Sequence, residues 1–336
     1  MRRLLLSTLL VLSHSAHAFD QQSLMDVFFS IVLVRGYDSA GGLAYGSGVV
    51  IGENKVVTNC HVLRKTSNAW VSQAEDVYKI ESVNVDARHD LCLLTTIDKL
   101  PLKPVQLGST EKLGKGDEVI SMGHSNGMPA PVTSGGQLKS IYRYDQGNVV
   151  RTNARFSLGA SGSPLFDSTG KLIGINTFKT PGRSAYFYAM PVEWVKSLEQ
   201  APRQTTFPVS GTAFWEFPDE DKPFFMQVAL PHLNGDWVAL EKVSRRWIEA
   251  EPASAEAWYE LGAAQEGLGQ DQEAQRAYRM ATSLDARHVE ALFRLGVYAS
   301  KRGDKDETHQ VSVTLARIDG EMAAKFNKEV GCEASC

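Results

Sequence analysis

The pattern of apolar residues changes once along the chain, near residue 200, and this change limits the possible folds more than any other feature. Before it, short β-branched runs alternate with Gly, Asn and Asp at regular spacing, which predicts an antiparallel barrel or sandwich rather than alternating strands and helices. The clearest runs are 31–34, 48–51, 55–58, 117–121 and 172–176. After it, apolar residues recur at helical spacing. We therefore predict a β-rich domain over 19–200 and an all-α region behind it.

The segment 1–18 has the pattern of a cleaved secretory signal peptide. Two arginines precede an apolar run at 4–12, and small residues flank His17 before the predicted cut after Ala18. The run is too short to span a bilayer, and no later run approaches that length. We predict a mature chain that begins near Phe19, lies in the periplasm or outside the cell, and has no membrane span.

The four cysteines fit an oxidising compartment. Cys332 and Cys336 could pair with each other, and Cys60 and Cys92 could form a second bridge. Sequence alone allows three pairings or free thiols. No metal site is predicted, because the two groups lie far apart and no Cys-x-x-Cys occurs.

A glycine-flanked turn at 158–165, LGASGSPL, carries one serine, Ser161. A serine hydroxyl is a poor nucleophile unless a base takes its proton and backbone donors receive the developing negative charge. Gly159 would let the chain turn so that its own N–H and that of Ser161 point at one spot. The alternative is an ordinary turn between two strands.

A candidate base and a candidate acid precede this serine. His61 follows the apolar run at 56–58, and Asp90 opens the apolar run at 91–94. A buried, hydrogen-bonded aspartate can hold a histidine in one tautomer and stabilise its cation. Each residue alone is more often structural, but the order His, Asp, Ser in specific local patterns predicts a nucleophilic hydrolase.

The chain resembles the trypsin-like (chymotrypsin-fold) serine proteases, and among them the bacterial HtrA/DegP-like branch. The matching segments are 46–62, 89–94, 122–140 and 151–177. The resemblance implies two six-stranded β-barrels with the site in the crevice between them. It also implies His61 as general base and then acid, Asp90 as its orienting partner, Ser161 as nucleophile, and the N–H groups of Gly159 and Ser161 as the oxyanion hole.

Some residues depart from the family pattern or compete for a role. Ala160 stands where pancreatic-type members carry Asp, so activation by a newly cut N-terminus is not expected. His89 would be exposed at a turn, and His124 is the main competing candidate for the base. Cys60 should face away from His61, because neighbouring side chains of a strand point to opposite faces, and it should pack beside Cys92.

The resemblance places the specificity pocket near Arg155, with walls from the strand after Ile175. Arg155 could favour acidic substrate side chains. The favoured interpretation is that Arg155 faces solvent while Phe156 shapes a small apolar pocket.

Behind the β-rich domain, we predict a linker at 201–220 and then a 34-residue period. The positions are Trp258, Leu261, Gly262, Gly269, Ala274, Tyr278 and Ala281, and one period later Leu292, Leu295, Gly296, Gly303, Thr308, Ser312 and Leu315. They resemble tetratricopeptide (TPR) units at 221–254, 255–288 and 289–322, followed by a tail at 323–336. Pro231 interrupts the first unit, and a generic helical bundle is the alternative.

Charge argues against some partners. Residues 201–336 hold 22 Asp and Glu against 15 Lys and Arg, a net charge of −7. Such a region is not expected to bind nucleic acid. Stacked helical repeats usually bind proteins or peptides in a concave groove.

These observations predict a secreted or periplasmic serine endopeptidase that needs no cofactor, acts on proteins or peptides, and binds a protein partner through its TPR repeats. The alternatives are a non-catalytic binding protein on a vestigial protease fold, and an enzyme that only processes its own linker.

Overall fold

A computed structural model describes residues 21–180 and 185–332 of the chain. The predicted signal peptide at 1–18 and Cys336 lie outside the described residues. A short helix, Gln21–Phe28 (α1), precedes the first strand. Within the described residues, no helix is long and apolar enough to cross a membrane.

Six antiparallel strands form the first barrel, in the order β5-β4-β1-β2-β3-β6, and a β5–β6 pairing closes it. The strands are Ile31–Tyr37 (β1), Leu43–Gly52 (β2), Lys55–Asn59 (β3), Asn68–Gln73 (β4), Asp76–Asp86 (β5) and Leu91–Thr96 (β6). Valine and leucine side chains fill it, as expected of β-branched runs that face a closed interior. Every residue of β6 is buried.

A second closed barrel follows, in the order β10-β11-β12-β9-β8-β7. Its strands are Glu118–Gly123 (β7), Val132–Tyr144 (β8), Gly147–Thr152 (β9), Pro164–Asp167 (β10), Leu172–Lys179 (β11) and Phe187–Pro191 (β12). The predicted double barrel is thereby confirmed.

The C-terminal region is helical, as predicted. After Val192–Ser197 (α2), the helices are Phe224–Gln227 (α3), Ala229–Asn234 (α4), Trp237–Ala250 (α5), Ala255–Gly267 (α6), Asp271–Leu284 (α7), Val289–Arg302 (α8), Lys305–Ile318 (α9) and Gly320–Glu329 (α10). The starts of α5, α7 and α9 are separated by the predicted repeat period, and so are the starts of α6 and α8. Pro231 lies in the short helix α4, where the first repeat is irregular.

Residues 201–220, predicted as a linker, are packed against the barrels. Arg203–Gln204 (β13) adds a short antiparallel edge to β5. Further on, Phe214 is fully buried and its N–H donates to the carbonyl oxygen of Arg88 at 2.9 Å. The prediction of a linker rested on a composition rich in Pro, Thr, Phe and acidic residues, and it did not anticipate that Phe214 is a core residue.

One apolar cluster joins the two barrels to the helices. Aromatic rings cross the boundary: Tyr142 of β8 stacks on Phe225 of α3, with centroids 4.5 Å apart, and lies 6.4 Å from Trp247 of α5. Phe214 lies 5.0 Å from Tyr144 and 6.4 Å from Phe225. The helical region therefore shares a core with the barrels and is not a separate body on a flexible tether.

Charged groups are also buried where the second barrel meets the helices. Lys115 Nζ lies 2.5 Å from Glu256 Oε1, and their side chains are only 5% and 9% exposed. Glu290 and the fully buried His288 flank the pair at 3.5–3.6 Å. Burial would raise the pKa of Glu256, but Lys115, His288 and Arg151 outweigh it and hold that pKa well below the ordinary 4.5.

We expect Glu256→Gln to lower the free energy of unfolding at pH 7 by about 3 kcal/mol, because it leaves the buried ammonium of Lys115 without its nearest counter-charge. A carboxylate whose pKa is depressed by folding stabilises the protein above its unfolded-state pKa, and this contribution is lost as the pH falls. The difference between variant and wild type should therefore shrink as the pH drops below about 4.5, the ordinary value.

Urea unfolding at pH 7 and at lower pH measures both effects. The matched control is Glu273→Gln, which removes the exposed Glu273–Arg276 pair and should change the free energy of unfolding by about 0.5 kcal/mol or less. Equal effects of the two variants would contradict the assignment of the buried pair.

Candidate active site

Asp90 is the buried acid of the site. It lies in the turn before β6 with φ of +58°, a left-handed conformation that Asp tolerates better than most residues. Its side chain is 0% exposed. Its carbonyl oxygen accepts hydrogen bonds from Cys60 N, at 3.1 Å, and from Asn59 Nδ2, at 2.9 Å. The acid is therefore fixed by the end of β3.

His61 meets this carboxylate with two donors. We predicted His61 at the end of a strand, but it lies in the 3₁₀ turn Cys60–Val62 that follows β3. Its backbone N–H donates to Asp90 Oδ1 at 2.8 Å, and its ring Nδ1 lies 2.5 Å from Oδ2. A proton shared at Nδ1 leaves Nε2 as the basic nitrogen. The turn could not be predicted from the sequence, because a three-residue 3₁₀ turn has no characteristic spacing of apolar residues.

Disulfides occur at two places. Cys60 and Cys92 form one, which ties the turn of His61 to the strand that Asp90 opens. Cys332 is also disulfide-bonded. Its predicted partner, Cys336, is outside the described part of the chain.

The turn that carries Ser161 is shaped by two glycines with positive φ, Gly159 at +88° and Gly162 at +85°. Ser47 secures it: its Oγ donates to the Gly159 carbonyl at 2.9 Å, and its N–H donates to the Ser161 carbonyl at 2.8 Å. The Gly162 N–H donates to Asn176 of β11. The turn is thus held by both barrels.

Two backbone donors of this turn are unused. In the described chain, the N–H groups of Gly159 and Ser161 form no hydrogen bond, whereas that of Ala160 between them donates to Ser157. Gly159 is a buried residue and Ser161 is half-buried, and most N–H groups withdrawn from water are paired. Two free donors beside a serine are what an oxyanion requires.

The turn that carries Ser161 packs against the end of β3, two residues before His61. A Cβ placed on Gly162 would lie 2.4 Å from Thr58 Oγ1 and 3.0 Å from Asn59 N, so the serine turn packs on the end of β3. Throughout the described residues, neither Ser161 Oγ nor His61 Nε2 has a hydrogen-bond partner. Both atoms are available to each other or to a substrate, and catalytic hydrogen bonds often tighten only when one binds.

The competing histidines lie elsewhere. We predicted that His89 would be exposed, but it is half-buried. Its ring stacks on Trp194, with centroids 3.8 Å apart, and its Nδ1 bonds Asp86. His124 is buried, and its Nδ1 bonds the Met128 carbonyl at 2.9 Å. Burial lowers the pKa of His124, which weakens it as a base.

The three residues predicted to form the specificity pocket differ in position and burial. Arg155 is exposed, and Phe156 is buried, with its ring 5.1 Å from Phe187 behind Ala160. Both line a cavity of about 540 Å³ between the second barrel and the helices. Ile175 is fully buried in the core and does not line this cavity.

Sequence reasoning missed three residues that contact the site. Arg64 Nη2 lies 3.2 Å from Asp90 Oδ1, Glu216 pairs with Arg64, and the ring of Trp215 stands edge-on to His61 at 5.8 Å. Arg64 comes one helical turn after His61, a spacing that could have suggested a contact. Nothing in the sequence around residues 215 and 216 predicts their contacts at the site, because only the folded chain brings them close to His61 and Arg64.

Comparison with known proteins finds relatives for the β-rich part of the chain. Residues 46–175 match the family model described as a trypsin-like peptidase domain. The probable periplasmic serine endoprotease DegP-like of Bartonella henselae is 31% identical over 168 residues, which cover 47% of this chain and 33% of that protein. The magnetosome formation protease MamE of Paramagnetospirillum magneticum is 34% identical over 142 residues, covering 39% and 20%.

This chain thus spans a third or less of the length of these two relatives. Among solved structures, the active form of the Rv3671c protease from M. tuberculosis superposes with a TM-score of 0.50 at 21% identity, covering 57% of this chain and 88% of that one. That likeness supports the double-barrel fold. The chain therefore contains a trypsin-like peptidase domain with HtrA/DegP-like homologues, and the helices lie outside the matched segment.

We expect Gly159→Ala to reduce peptide hydrolysis by about 10²-fold or more, as does loss of an oxyanion-hole donor. A Cβ at this position would lie 2.5 Å from Tyr45 Cε2 and 2.8 Å from the His124 carbonyl, so the turn must move. The control is Gly41→Ala, because Gly41 also has a positive φ, of +84°, but nothing lies within 4 Å of an added Cβ. Initial rates on a peptide substrate measure both variants, and equal rates would contradict the assignment.

Proposed function

We propose that this protein is a serine endopeptidase with the catalytic residues His61, Asp90 and Ser161. The observation that supports it best is the combination of an Asp90-bonded imidazole whose Nε2 is free with two unused N–H groups on the serine turn. Each part is common alone. Together they supply a base, an orienting acid, a nucleophile and an oxyanion hole.

The first half of the proposed reaction forms an acyl-enzyme. Ser161 Oγ bonds the carbonyl carbon of the scissile peptide while its proton passes to His61 Nε2. The carbonyl electron pair moves onto oxygen, where the N–H groups of Gly159 and Ser161 receive the negative charge. As the carbonyl re-forms, the C–N bond breaks, and Nε2 returns the proton to the leaving amine.

The second half repeats these steps with water. Water gives its proton to Nε2 as its oxygen attacks the ester carbon, and the collapsing intermediate releases the acid and the Ser161 alkoxide, which recovers the proton. Asp90 stays ionised and stabilises the imidazolium formed in each half. No cofactor or metal is needed for these steps.

We propose that the helices over 221–322 are TPR-like repeats that bind a protein or peptide partner. The regular spacing of helix starts supports this, as do helix ends at left-handed glycines such as Gly303. The disulfides and the periplasmic relative support a location in the periplasm or outside the cell. The main alternative remains a binding protein without catalytic activity.

A fluorophosphonate serine probe tests the proposed activity. We expect the purified protein to be labelled at Ser161 and Ser161→Ala to remain unlabelled, because only an activated serine attacks the probe's phosphorus. Cleavage of added casein, followed by gel, distinguishes general proteolysis from self-processing alone. Labelling of the wild type no greater than that of the alanine variant would favour the binding protein.

We further propose that the substrate residue before the cleaved bond is small and apolar. Phe156 is buried at the cavity, while Arg155 is exposed, where an ion pair with substrate contributes little. In matched peptide anilides, kcat/KM should be about tenfold or more higher for Val than for Glu at this position, since burying a carboxylate is costly. Arg155→Gln should leave the ratio of the two kcat/KM values unchanged. If the wild type instead prefers the Glu peptide and Arg155→Gln loses this preference, the proposal is contradicted.

A further inference from the structure

The carboxylate of Asp90 has a third donor beyond the backbone N–H and the ring Nδ1 of His61. Arg64 Nη2 lies 3.2 Å from Asp90 Oδ1, the oxygen that also accepts the His61 N–H. The side chain of Arg64 is 19% exposed, so most of it is withdrawn from water. A guanidinium presents a planar set of donors, and it can fix the plane of a carboxylate as well as neutralise it.

Arg64 is in turn held by a residue from far along the chain. Its Nη1 donates to Glu216 Oε2, and the same oxygen accepts the N–H of Ala213 at 3.0 Å. The side chain of Glu216 is 30% exposed. Arg64 therefore bridges two carboxylates, one fully buried and one at the surface.

The segment that supplies Glu216 is firmly anchored beside the site. Phe214 is fully buried among aromatic rings of the second barrel and of α3. Trp215 packs against Phe178, with centroids 5.4 Å apart, and edge-on against His61. This segment lies beyond the part of the chain that matches the trypsin-like family model, residues 46–175.

We propose that Arg64 and Glu216 are positioning residues that act on His61 through Asp90; this rests on the proposed serine endopeptidase activity. Arg64 fixes the orientation of the Asp90 carboxylate, and Glu216 both holds Arg64 in place and offsets its positive charge. The segment behind the barrels thereby completes the site.

The charges account for the need for Glu216. When Ser161 has passed its proton to His61, the group of His61, Asp90, Arg64 and Glu216 is neutral in sum. Without the carboxylate of Glu216, the same state carries one net positive charge, and protonation of His61 becomes less favourable. Without the guanidinium of Arg64, the state carries one net negative charge and protonation becomes more favourable, although a donor to Asp90 is lost.

Other charged groups near this cluster are bonded to one another. Arg88 pairs with Asp145, and His89 bonds Asp86 and Asp145. None of these contacts the Asp90 carboxylate among the described residues. If replacing Arg64 and replacing Glu216 change the protonation of His61 in opposite directions, we therefore attribute both changes to the loss of the Arg64 bridge between Asp90 and Glu216.

The test compares wild type, Glu216→Gln, Arg64→Gln and the double variant by kcat, KM and pH–rate profile on one peptide. Glu216→Gln should lower kcat about tenfold, the effect of one weakened charge-assisted hydrogen bond, and change KM less than twofold. The acidic limb of the profile should move to lower pH in Glu216→Gln and to higher pH in Arg64→Gln. The double variant should be no slower than Arg64→Gln alone.

Two further variants make the result decisive. Glu216→Asp keeps the charge and should recover most of the lost rate. Glu220→Gln, nearby on an exposed side chain without an ion pair in the described structure, should match the wild type. Should Glu216→Gln fold poorly, as judged by its thermal midpoint, Arg64→Lys replaces it, since an ammonium cannot bridge both carboxylates in the same plane.

The low-field proton NMR signal of His61 Nδ1–H gives a readout that does not depend on turnover, and it should shift in Glu216→Gln. A wild type that hydrolyses peptide while Glu216→Gln keeps its kcat, pH midpoint and NMR signal would overturn this inference alone. A wild type that neither hydrolyses peptide nor reacts with fluorophosphonate, but whose NMR signal shifts in Glu216→Gln, would instead overturn the proposed activity and leave the bridge intact.

Discussion

The burial of one carboxylate governs much of this structure. Asp90 has no exposure to solvent, and an unpaired buried charge is strongly destabilising, so donors must converge on it. His61 supplies two of them and Arg64 a third. The 3₁₀ turn after β3, the left-handed backbone of Asp90 and the Cys60–Cys92 disulfide all keep these donors in place. The geometry proposed for catalysis is thus also the geometry that makes the buried charge tolerable.

Two clusters of buried side chains join the helices and the barrels into one structure. An aromatic cluster and a buried ionic cluster both cross from the second barrel to the helices, the first around Phe214 and Phe225 and the second around Lys115 and Glu256. The two clusters act differently. The aromatic rings stabilise the structure by burying apolar area. A buried charge is stable only when it is paired, so the ionic cluster favours one orientation of the helices.

Much of the fold could be predicted from sequence, because the signals were local. Short β-branched runs separated by turn residues predicted the strands, and the recurrence of small and large residues at a fixed period predicted the paired helices. The pairing of His61 with Asp90 followed from the order of short motifs. The catalytic roles of these residues and the peptide-binding role of the repeats stay predictions.

What the sequence did not reveal depends on contacts between distant residues. The linker over 201–220 was read from composition, yet Phe214 within it is a core residue. His89 was placed at an exposed turn, because nothing near it in sequence announces Trp194 as a stacking partner. Arg64 and Glu216 are 152 residues apart, and no periodicity connects them. Ile175 was assigned to the pocket wall by resemblance and lies in the core.

The position of Glu216 also bears on the order in which the chain is made. His61, Asp90 and Ser161 all leave the ribosome before it, and the last strands of the second barrel lie between Ser161 and Glu216. Since chains emerge from their N-terminus, the two barrels can form before the segment that braces Arg64 is in place. Under the proposed role of Glu216, barrels that have folded without this segment are a slower peptidase than the complete chain.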